Sequence, residues 1–217
     1  MRLSKNFIMA YSCGKDSTLA LYRMIERGYK PVCILVTTGD GEDSWFHGIN
    51  KNLVKKVSES LGIDLLFANC SADKYEENFV SALKEARDKY DAKLCAFGDI
   101  DIELHRKWDL DMCKKAEIEG ILPLWNEDRE KLTLEFIKRG FKAVIKKVRL
   151  DILNEDFLGK ILDEDLIIDI KKAGSDVCGE NGEYHTFVFD GPIFKEKVQF
   201  NVIEKKTNEK YGEITIN

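Results

Sequence analysis

The sequence predicts an α/β fold, in which a parallel sheet with helices on both faces is followed by a smaller C-terminal α+β lobe. Apolar strand-like runs alternate with amphipathic helical patterns through the first half of the 217-residue chain. The strand-like runs are continuously apolar, which is typical of parallel strands covered on both faces. After residue 124 the regular alternation ends, and the chain closes with the period-2 pattern of a β-hairpin.

Four pairs of strand and helix are expected in the first half. The predicted elements, in chain order and with strands first, are 7–11, 17–27, 32–37, 49–61, 64–68, 74–90, 93–97 and 107–119. Gly62 and Gly120 stand where two of these helices are expected to end. In such sheets the ligand sits beyond the carboxyl ends of the strands. We therefore expect one crevice to be lined by the loops at 12–17, 37–44 and 98–105.

The second half is expected to form a different lobe. Its patterns predict strands at 121–125 and 142–148, helices at 128–139 and 166–172, and a terminal hairpin. The hairpin consists of alternating Val198, Phe200 and Val202, a turn at 207–210 and a returning strand at 211–216. We place a soft boundary near Leu124, which gives domains at 1–124 and 125–217. Because no linker marks this boundary, we expect two lobes that share an interface.

Composition and charge disfavour several classes of protein. The net charge is −5 and the isoelectric point is about 5.4, which argues against general binding to nucleic acid or to a membrane surface. No apolar run approaches the roughly 18 residues of a membrane span. We expect a soluble, cytoplasmic protein and leave homo-oligomers open. The six cysteines lack metal-ligand spacing and are expected to be reduced core thiols, at positions 13, 33, 70, 95, 113 and 178.

The segment 11–18, Tyr-Ser-Cys-Gly-Lys-Asp-Ser-Thr, joins the first predicted strand to the first predicted helix. A short loop in this position directs backbone N–H groups and the positive end of the helix dipole towards one point, which suits a phosphate. Lys15 adds a positive charge there. Ser12, Ser17 and Thr18 add hydroxyl donors.

This loop differs from the P-loop, which requires glycine at position 9 and Ser or Thr after Lys15. The chain has Met9 and Asp16 at those positions. The segment 12–17 instead resembles the S-G-G-K-D-S loop of the ATP pyrophosphatase (PP-loop) family, with Cys13 where that family usually has glycine. We interpret Cys13 as neutral variation. For the loop considered alone, a glycine turn with a surface lysine and aspartate is an open alternative.

Other segments extend the resemblance over nearly the whole chain. They resemble the diphthine–ammonia ligase family, and they lie at 98–100, 105–108, 113, 120–125, 179–187 and 190–192. The resemblance implies a PP-loop, adenine nucleotide alpha hydrolase-like domain followed by a family-specific acceptor-binding domain. It also implies that the carboxylate of diphthine on elongation factor 2 becomes an amide, with ATP and ammonia consumed and AMP and pyrophosphate released.

The chemistry assigns roles to individual residues. A carboxylate does not react with ammonia at neutral pH, and adenylation provides AMP as a leaving group. The loop would then hold the departing pyrophosphate. For ATP we predict contacts from Ser12, Cys13, Gly14, Lys15, Asp16, Ser17, Thr18, Thr37 and Gly98. Mg²⁺ prefers oxygen ligands, and Asp16 is the first candidate for it, with Asp99 second.

Two further groups of residues are predicted to serve catalysis and substrate binding. The catalytic candidates are Lys15, Asp16, Glu180 and Glu183, of which the two glutamates would bind ammonium or act as bases. The substrate-binding candidates are Asp99, His105, Arg106, Trp108, Tyr184 and His185.

Purely structural interpretations of these residues stay open beside the functional ones. The segment 180–185 has the composition of a polar surface turn, Asp99 follows a strand as in an ordinary turn, and Trp108 on a helix is more often a core residue. For the whole chain, the alternatives are a PP-loop ATP pyrophosphatase with another acceptor, such as a thiolating relative, and a non-catalytic nucleotide-binding module.

Overall fold

The computed structural model describes residues 5–39, 48–70 and 72–217. Within these residues five strands form a parallel sheet, namely β1 (Asn6–Ala10), β2 (Lys30–Thr38), β3 (Asp64–Asn69), β4 (Leu94–Ala96) and β5 (Glu119–Ile121). The connecting helices are α1 (Lys15–Glu26), α2 (Lys51–Leu61), α3 (Tyr75–Tyr90) and α4 (Glu103–Lys115). The predicted α/β architecture is confirmed.

The strand order is β3-β2-β1-β4-β5. The chain therefore builds outward from β1 to β3 and then crosses to the other side of β1, where β4 pairs with it. A crevice opens beyond the carboxyl ends of the strands at such a reversal of direction, because the loops leave to opposite faces of the sheet. The loop after β1 and the loop after β4 flank this point.

Side chains that alternate along β1 enter two different cores, one on each face of the sheet. Phe7 and Met9 lie in a cluster with α1 and α2, whereas Ile8 lies in a cluster with α3 and α4. The first cluster continues through Phe136 and Phe187 of the second half of the chain. One hydrophobic core therefore connects the sheet to the second lobe, while the boundary at residue 124 stays a prediction.

An antiparallel sheet forms the second lobe. Its strands within the described residues are β6 (Lys142–Arg149), β7 (Tyr184–Asp190), β8 (Val202–Thr207) and β9 (Tyr211–Ile216), in the order β7-β6-β9-β8. Two helices, α5 (Arg129–Lys138) and α6 (Glu164–Lys172), complete the lobe. The α+β character and the terminal hairpin are as predicted, but the hairpin begins at Val202. The earlier Val198 is buried and lies outside the described strands, and its N–H donates to the carbonyl of Phe189 in β7.

Two predicted boundaries near residue 120 are wrong. The strand predicted at 121–125 is β5, because Glu119–Ile121 pairs in register with Leu94–Ala96, and Pro123 beyond it lacks an N–H for the ladder. The helix predicted at 107–119 is α4, which begins earlier and ends before Glu117, whose φ of 59° is left-handed. Gly120 lies within β5 rather than ending a helix.

Four smaller observations complete the fold. Helix α1 begins at Lys15 rather than at 17, which places Lys15 and Asp16 in its first turn. Of the predicted loop at 37–44, residues 40–44 lie outside the described residues. All six cysteines are within the described ranges, where they are buried and form no disulfide. The helices described for this chain are too short or too polar to cross a membrane.

Candidate active site

A cavity of about 790 Å³ lies at the carboxyl ends of β1, β2 and β4. Most of the predicted site residues line it, namely Ser12, Gly14, Lys15, Asp16, Ser17, Thr37, Gly98, Asp99, His105, Trp108, Glu180, Tyr184 and His185. The predicted convergence of loops is therefore confirmed for the described residues. The segment at 178–186, from the second lobe, forms a further wall.

Hydroxyl groups shape the loop between β1 and α1. Ser12 Oγ and Ser17 Oγ lie 3.1 Å apart, and Ser17 Oγ donates to the carbonyl of Gly14. Thr18 is completely buried, donates to the same carbonyl at 2.8 Å and bonds the hydroxyl of Tyr11. Thr18 lies outside the lining of the cavity and therefore stabilises the loop from behind.

Cys13 has a left-handed backbone, with φ of 61°. This conformation suits glycine, because a Cβ raises its energy by roughly 1–2 kcal/mol. The Cys13 side chain is completely buried and lies outside the cavity lining. Burial raises the pKa of its thiol. The thiol is therefore protonated at neutral pH and is poorly placed to act as a nucleophile.

Lys15 and Asp16 form an ion pair at the mouth of the loop. Lys15 Nζ lies 2.6 Å from Asp16 Oδ2, and it also lies 3.3 Å from Cys178 Sγ. Burial lowers the pKa of the lysine, but the nearby negative charge of Asp16 raises it. The net result is a pKa well above the ordinary value. Lys15 is only 3% exposed, so the cavity contains a buried and permanently charged amine.

Strand β7 of the second lobe holds this loop directly. The backbone N–H of Lys15 donates to Thr186 Oγ1 at 3.0 Å, and the N–H of Val188 donates to the carbonyl of Cys13 at 2.8 Å. Sequence reasoning assigned no role to Thr186, because its partner is 171 positions away. The loop's geometry thus depends on both lobes.

Glu180 enters the cavity from the turn before β7. Burial, followed by the negative charge of Asp16, raises the pKa of Glu180 to about 7. Ligand atoms of Asp16, Cys178 and Glu180 lie within 4.8 Å of one another, and those of Asp99, His105 and Glu180 do the same. Glu180 therefore lies between the loop at 12–17, hereafter the phosphate loop, and the loop after β4.

Glu183, predicted beside Glu180, lies outside the cavity lining. It is 6% exposed, and its carboxylate accepts hydrogen bonds from the backbone N–H and the side-chain amide of Asn181, at 3.0 and 3.2 Å. These bonds close the turn that carries Glu180. The geometry supports a role for Glu183 in shaping that turn.

The pKa values of the two histidines of the site are shifted in opposite directions. Burial, followed by the positive charges of Lys147, Lys15 and Lys146, lowers the pKa of His185 to about 4. His105 bonds Asp99 at 3.1 Å, and this hydrogen bond raises the pKa of His105. At neutral pH the cavity thus contains an uncharged imidazole on β7, whereas on the opposite wall the contact with Asp99 stabilises the protonated form of His105 relative to a free imidazole.

Aromatic and acidic residues of α4 line the same wall. Trp108 packs on Phe79 and Tyr75, with ring centroids 5.0 and 5.7 Å apart, so it belongs both to the core and to the cavity. Asp109, which sequence reasoning missed, is 4% exposed. Burial, followed by the charge of Asp99, raises its pKa to about 10. An aspartate on an amphipathic helix carries no signal of such burial.

Arg106 lies outside the cavity lining. Its guanidinium stacks on the Trp125 ring at 5.0 Å and pairs with Glu103 at 3.3 Å. The structure therefore places Arg106 at a different surface from Trp108, although the two are neighbours on one helix.

Comparison with known proteins agrees with this architecture. The family model of the diphthamide synthase N-terminal domain matches residues 5–120, and that of the diphthamide synthase C-terminal domain matches residues 128–217. The chain is 27% identical over 213 residues to the diphthine–ammonia ligase of Homo sapiens. This alignment covers 86% of this chain and 79% of that protein. The diphthine–ammonia ligase of Danio rerio is 26% identical over 218 residues, covering 89% of this chain and 85% of that protein. With both domain models matched in order along its length, the chain belongs to the diphthamide synthase family.

Proposed function

We propose that the chain is an ATP-dependent diphthine–ammonia ligase, which adenylates the carboxylate of diphthine on an acceptor protein and then joins ammonia to it. The names of the relatives support this proposal. The observation that carries it is the meeting of the phosphate loop and Glu180 in one cavity, because the two half-reactions share one carboxyl carbon.

In the first half-reaction an acceptor carboxylate oxygen attacks the α-phosphorus of ATP, and the bond to pyrophosphate breaks. Negative charge then grows on the departing pyrophosphate. Lys15 is charged and buried at the amino end of α1, where its charge and the helix dipole both stabilise an anion. The hydroxyls of Ser12 and Ser17 lie in the same lining and are proposed as further donors.

Asp16 is proposed to hold Mg²⁺ together with ATP phosphate oxygens. Mg²⁺ is usually bound through one or two carboxylates and waters, and the carboxylate of Asp16 lies in the cavity lining with 29% of its side chain exposed. The thiol of Cys178 is a poor ligand for this ion, since burial raises its pKa to about 12. The ion would supply positive charge next to the phosphates.

In the second half-reaction ammonia attacks the acyl carbon, and AMP leaves with the electron pair of the broken bond. Ammonium must first lose a proton. A carboxylate whose pKa is near the pH of the solution is suited to take this proton. Glu180, with a pKa of about 7, has this property. We propose Asp99, His105, Trp108, Tyr184 and His185 as contacts for the acceptor side chain, because all five line the cavity. Arg106, with 41% of its side chain exposed, is proposed to contact the surrounding acceptor protein.

The proposal is tested by incubating the protein with ATP, Mg²⁺, ammonium and an acceptor protein that carries diphthine. We expect AMP and pyrophosphate in step with conversion of the acceptor carboxylate to a carboxamide, followed by mass spectrometry. ADP and orthophosphate as the dominant products would refute cleavage between the α and β phosphates. AMP without amidated acceptor would support adenylation but refute diphthine as the group that receives ammonia.

A further inference from the structure

Arg129, the first residue of α5, bridges two carboxylates, Asp101 and Asp176, which belong to two segments that form walls of the cavity. Its Nε and Nη2 donate to Asp101 at 2.7 and 2.6 Å, and its Nη1 donates to Asp176 at 2.7 Å. Asp101 lies in the loop after β4, two positions beyond Asp99. Asp176 begins the turn that leads to Glu180. One guanidinium therefore ties the two walls together.

Asp176 in turn fixes the backbone of the Glu180 turn. Its Oδ1 accepts the N–H of Cys178 at 3.1 Å, and its Oδ2 accepts the N–H of Glu180 at 3.2 Å. The first of these amides belongs to Cys178, whose thiol touches Lys15, and the second belongs to Glu180, which enters the cavity. The orientation of one carboxylate thus sets the position of both side chains.

The bridge has the geometry that makes such contacts strong. Arg129 is paired bidentately with Asp101, and planar fork contacts of this kind restrict orientation as well as adding energy. The side chains of Arg129 and Asp176 are 24% and 17% exposed, so solvent screens the pair only in part. If the guanidinium were removed, the Asp176 carboxylate would lose its cationic partner and the turn would lose its tether to the loop after β4.

We propose that Arg129 is a positioning residue, which holds Glu180 at the distance from the phosphate loop that the second half-reaction requires. This inference rests on the proposed function for its catalytic meaning. Arg129 acts on the Glu180 turn through Asp176, whereas the backbone of the loop at 12–18 is bonded to Thr186 and Val188 of β7. Removal of Arg129 should therefore displace Glu180 and leave the nucleotide contacts of that loop in place.

The kinetic test compares Arg129→Ala with Arg139→Ala. Arg139 is a matched control, because it also pairs with an acid, Glu26, at 3.3 Å and stacks on Tyr22. Its acidic partners, Glu26 and Glu135, lie at the carboxyl end of α1 and on α5 rather than in the segments that form the cavity walls. For Arg129→Ala we expect kcat for amide formation to fall by about tenfold or more, with Kd for ATP within about threefold. Arg139→Ala should change neither value. Arg129→Lys should recover part of the loss, because an ammonium replaces the charge but not the fork.

A double-mutant cycle shows whether the effect passes through Glu180. If it does, Arg129→Ala should cost little further activity in a protein that already carries Glu180→Gln, since coupled residues are not additive. Fully additive losses would overturn the inference, as would equal losses in ATP binding and turnover. Should Arg129→Ala fail to fold, Asp101→Asn removes one end of the bridge and is subjected to the same cycle.

Hydrogen exchange separates this inference from the proposed function. In Arg129→Ala the amides of Cys178 and Glu180 should exchange about tenfold faster or more, while the amides at 12–18 should be unchanged. Unchanged exchange at Cys178 and Glu180 would overturn the bridge whatever reaction the protein catalyses. A wild-type protein that makes no amide would instead refute the proposed function and leave the exchange result to decide on the bridge.

Discussion

Replacing Glu180 with Gln provides the most direct test of how the second half-reaction works. The change preserves the size of the side chain but removes its negative charge and its ability to accept a proton. We expect amide formation to fall by about a hundredfold or more, or roughly 2.7 kcal/mol of transition-state stabilisation, with Kd for ATP within about threefold. The nucleotide contacts should persist because they belong to the loop between β1 and α1.

The raised pKa of Glu180 predicts the shape of the pH profile. Because the pKa is about 7, the carboxylate form is present above pH 7 and is lost as the pH falls through that value. When rates are plotted against free ammonia, kcat/KM for the wild type should fall about tenfold for each pH unit below the pKa. Glu180→Gln should lose this dependence. Asp16→Asn should shift it to lower pH, because the like charge of Asp16 contributes to raising the pKa of Glu180.

The assay is product formation by mass spectrometry beside calorimetry with ATP. Glu183→Gln is the matched control, since it makes the same change three positions away but outside the cavity lining. Its effect on turnover should be smaller than that of Glu180→Gln, because Gln retains one of the two oxygen acceptors for Asn181. Unchanged turnover in Glu180→Gln would refute the role as a base. Loss of ATP binding would place Glu180 in the nucleotide or metal site.

Three further expectations concern the loop that holds the pyrophosphate. Lys15→Ala should lower kcat/KM for ATP by about a hundredfold or more in steady-state assays, because the charge facing the leaving group is lost; a loss below tenfold would contradict this. Cys13→Gly should change the free energy of unfolding by less than about 1 kcal/mol, because relief of the left-handed strain is offset by lost packing and by a more flexible unfolded chain; an inactive variant would indicate thiol chemistry instead. Thr186→Val should lower the free energy of unfolding in urea by about 1–3 kcal/mol, because the N–H of Lys15 loses its acceptor. Thr186→Ser should retain most of that stability. Equal stability of the two variants would show that the bond contributes little.

Local patterns were sufficient for the elements and for the place of the crevice. Continuous apolar runs indicated buried parallel strands, and the positions of the loops after β1, β2 and β4 followed from the rule for open α/β sheets. The wrong boundaries lie at 115–125, where the end of α4 and the start of β5 depend on a left-handed residue and on strand register. Neither property has a local sequence pattern, because register depends on the neighbouring strand.

The sequence by itself determined the class of fold and the residues of the phosphate loop, including Lys15, Asp16 and Ser17. It also identified the acidic turn that carries Glu180, and the resemblance to the diphthine–ammonia ligase family. These properties depend on residue type and on short spacings, both of which can be read directly from the amino-acid sequence.

Only the tertiary structure decided which carboxylate of that turn faces the cavity. Glu180 and Glu183 are three positions apart and chemically alike. The bond that the Glu180 N–H donates to the Asp176 carboxylate directs one into the cavity, while the bonds that Asn181 donates to Glu183 turn the other away. The same is true of Thr186 and Arg129, whose partners belong to distant parts of the chain. Burial and long-range contacts set the pKa of a side chain and the group that it touches, and both arise only when the two lobes pack together.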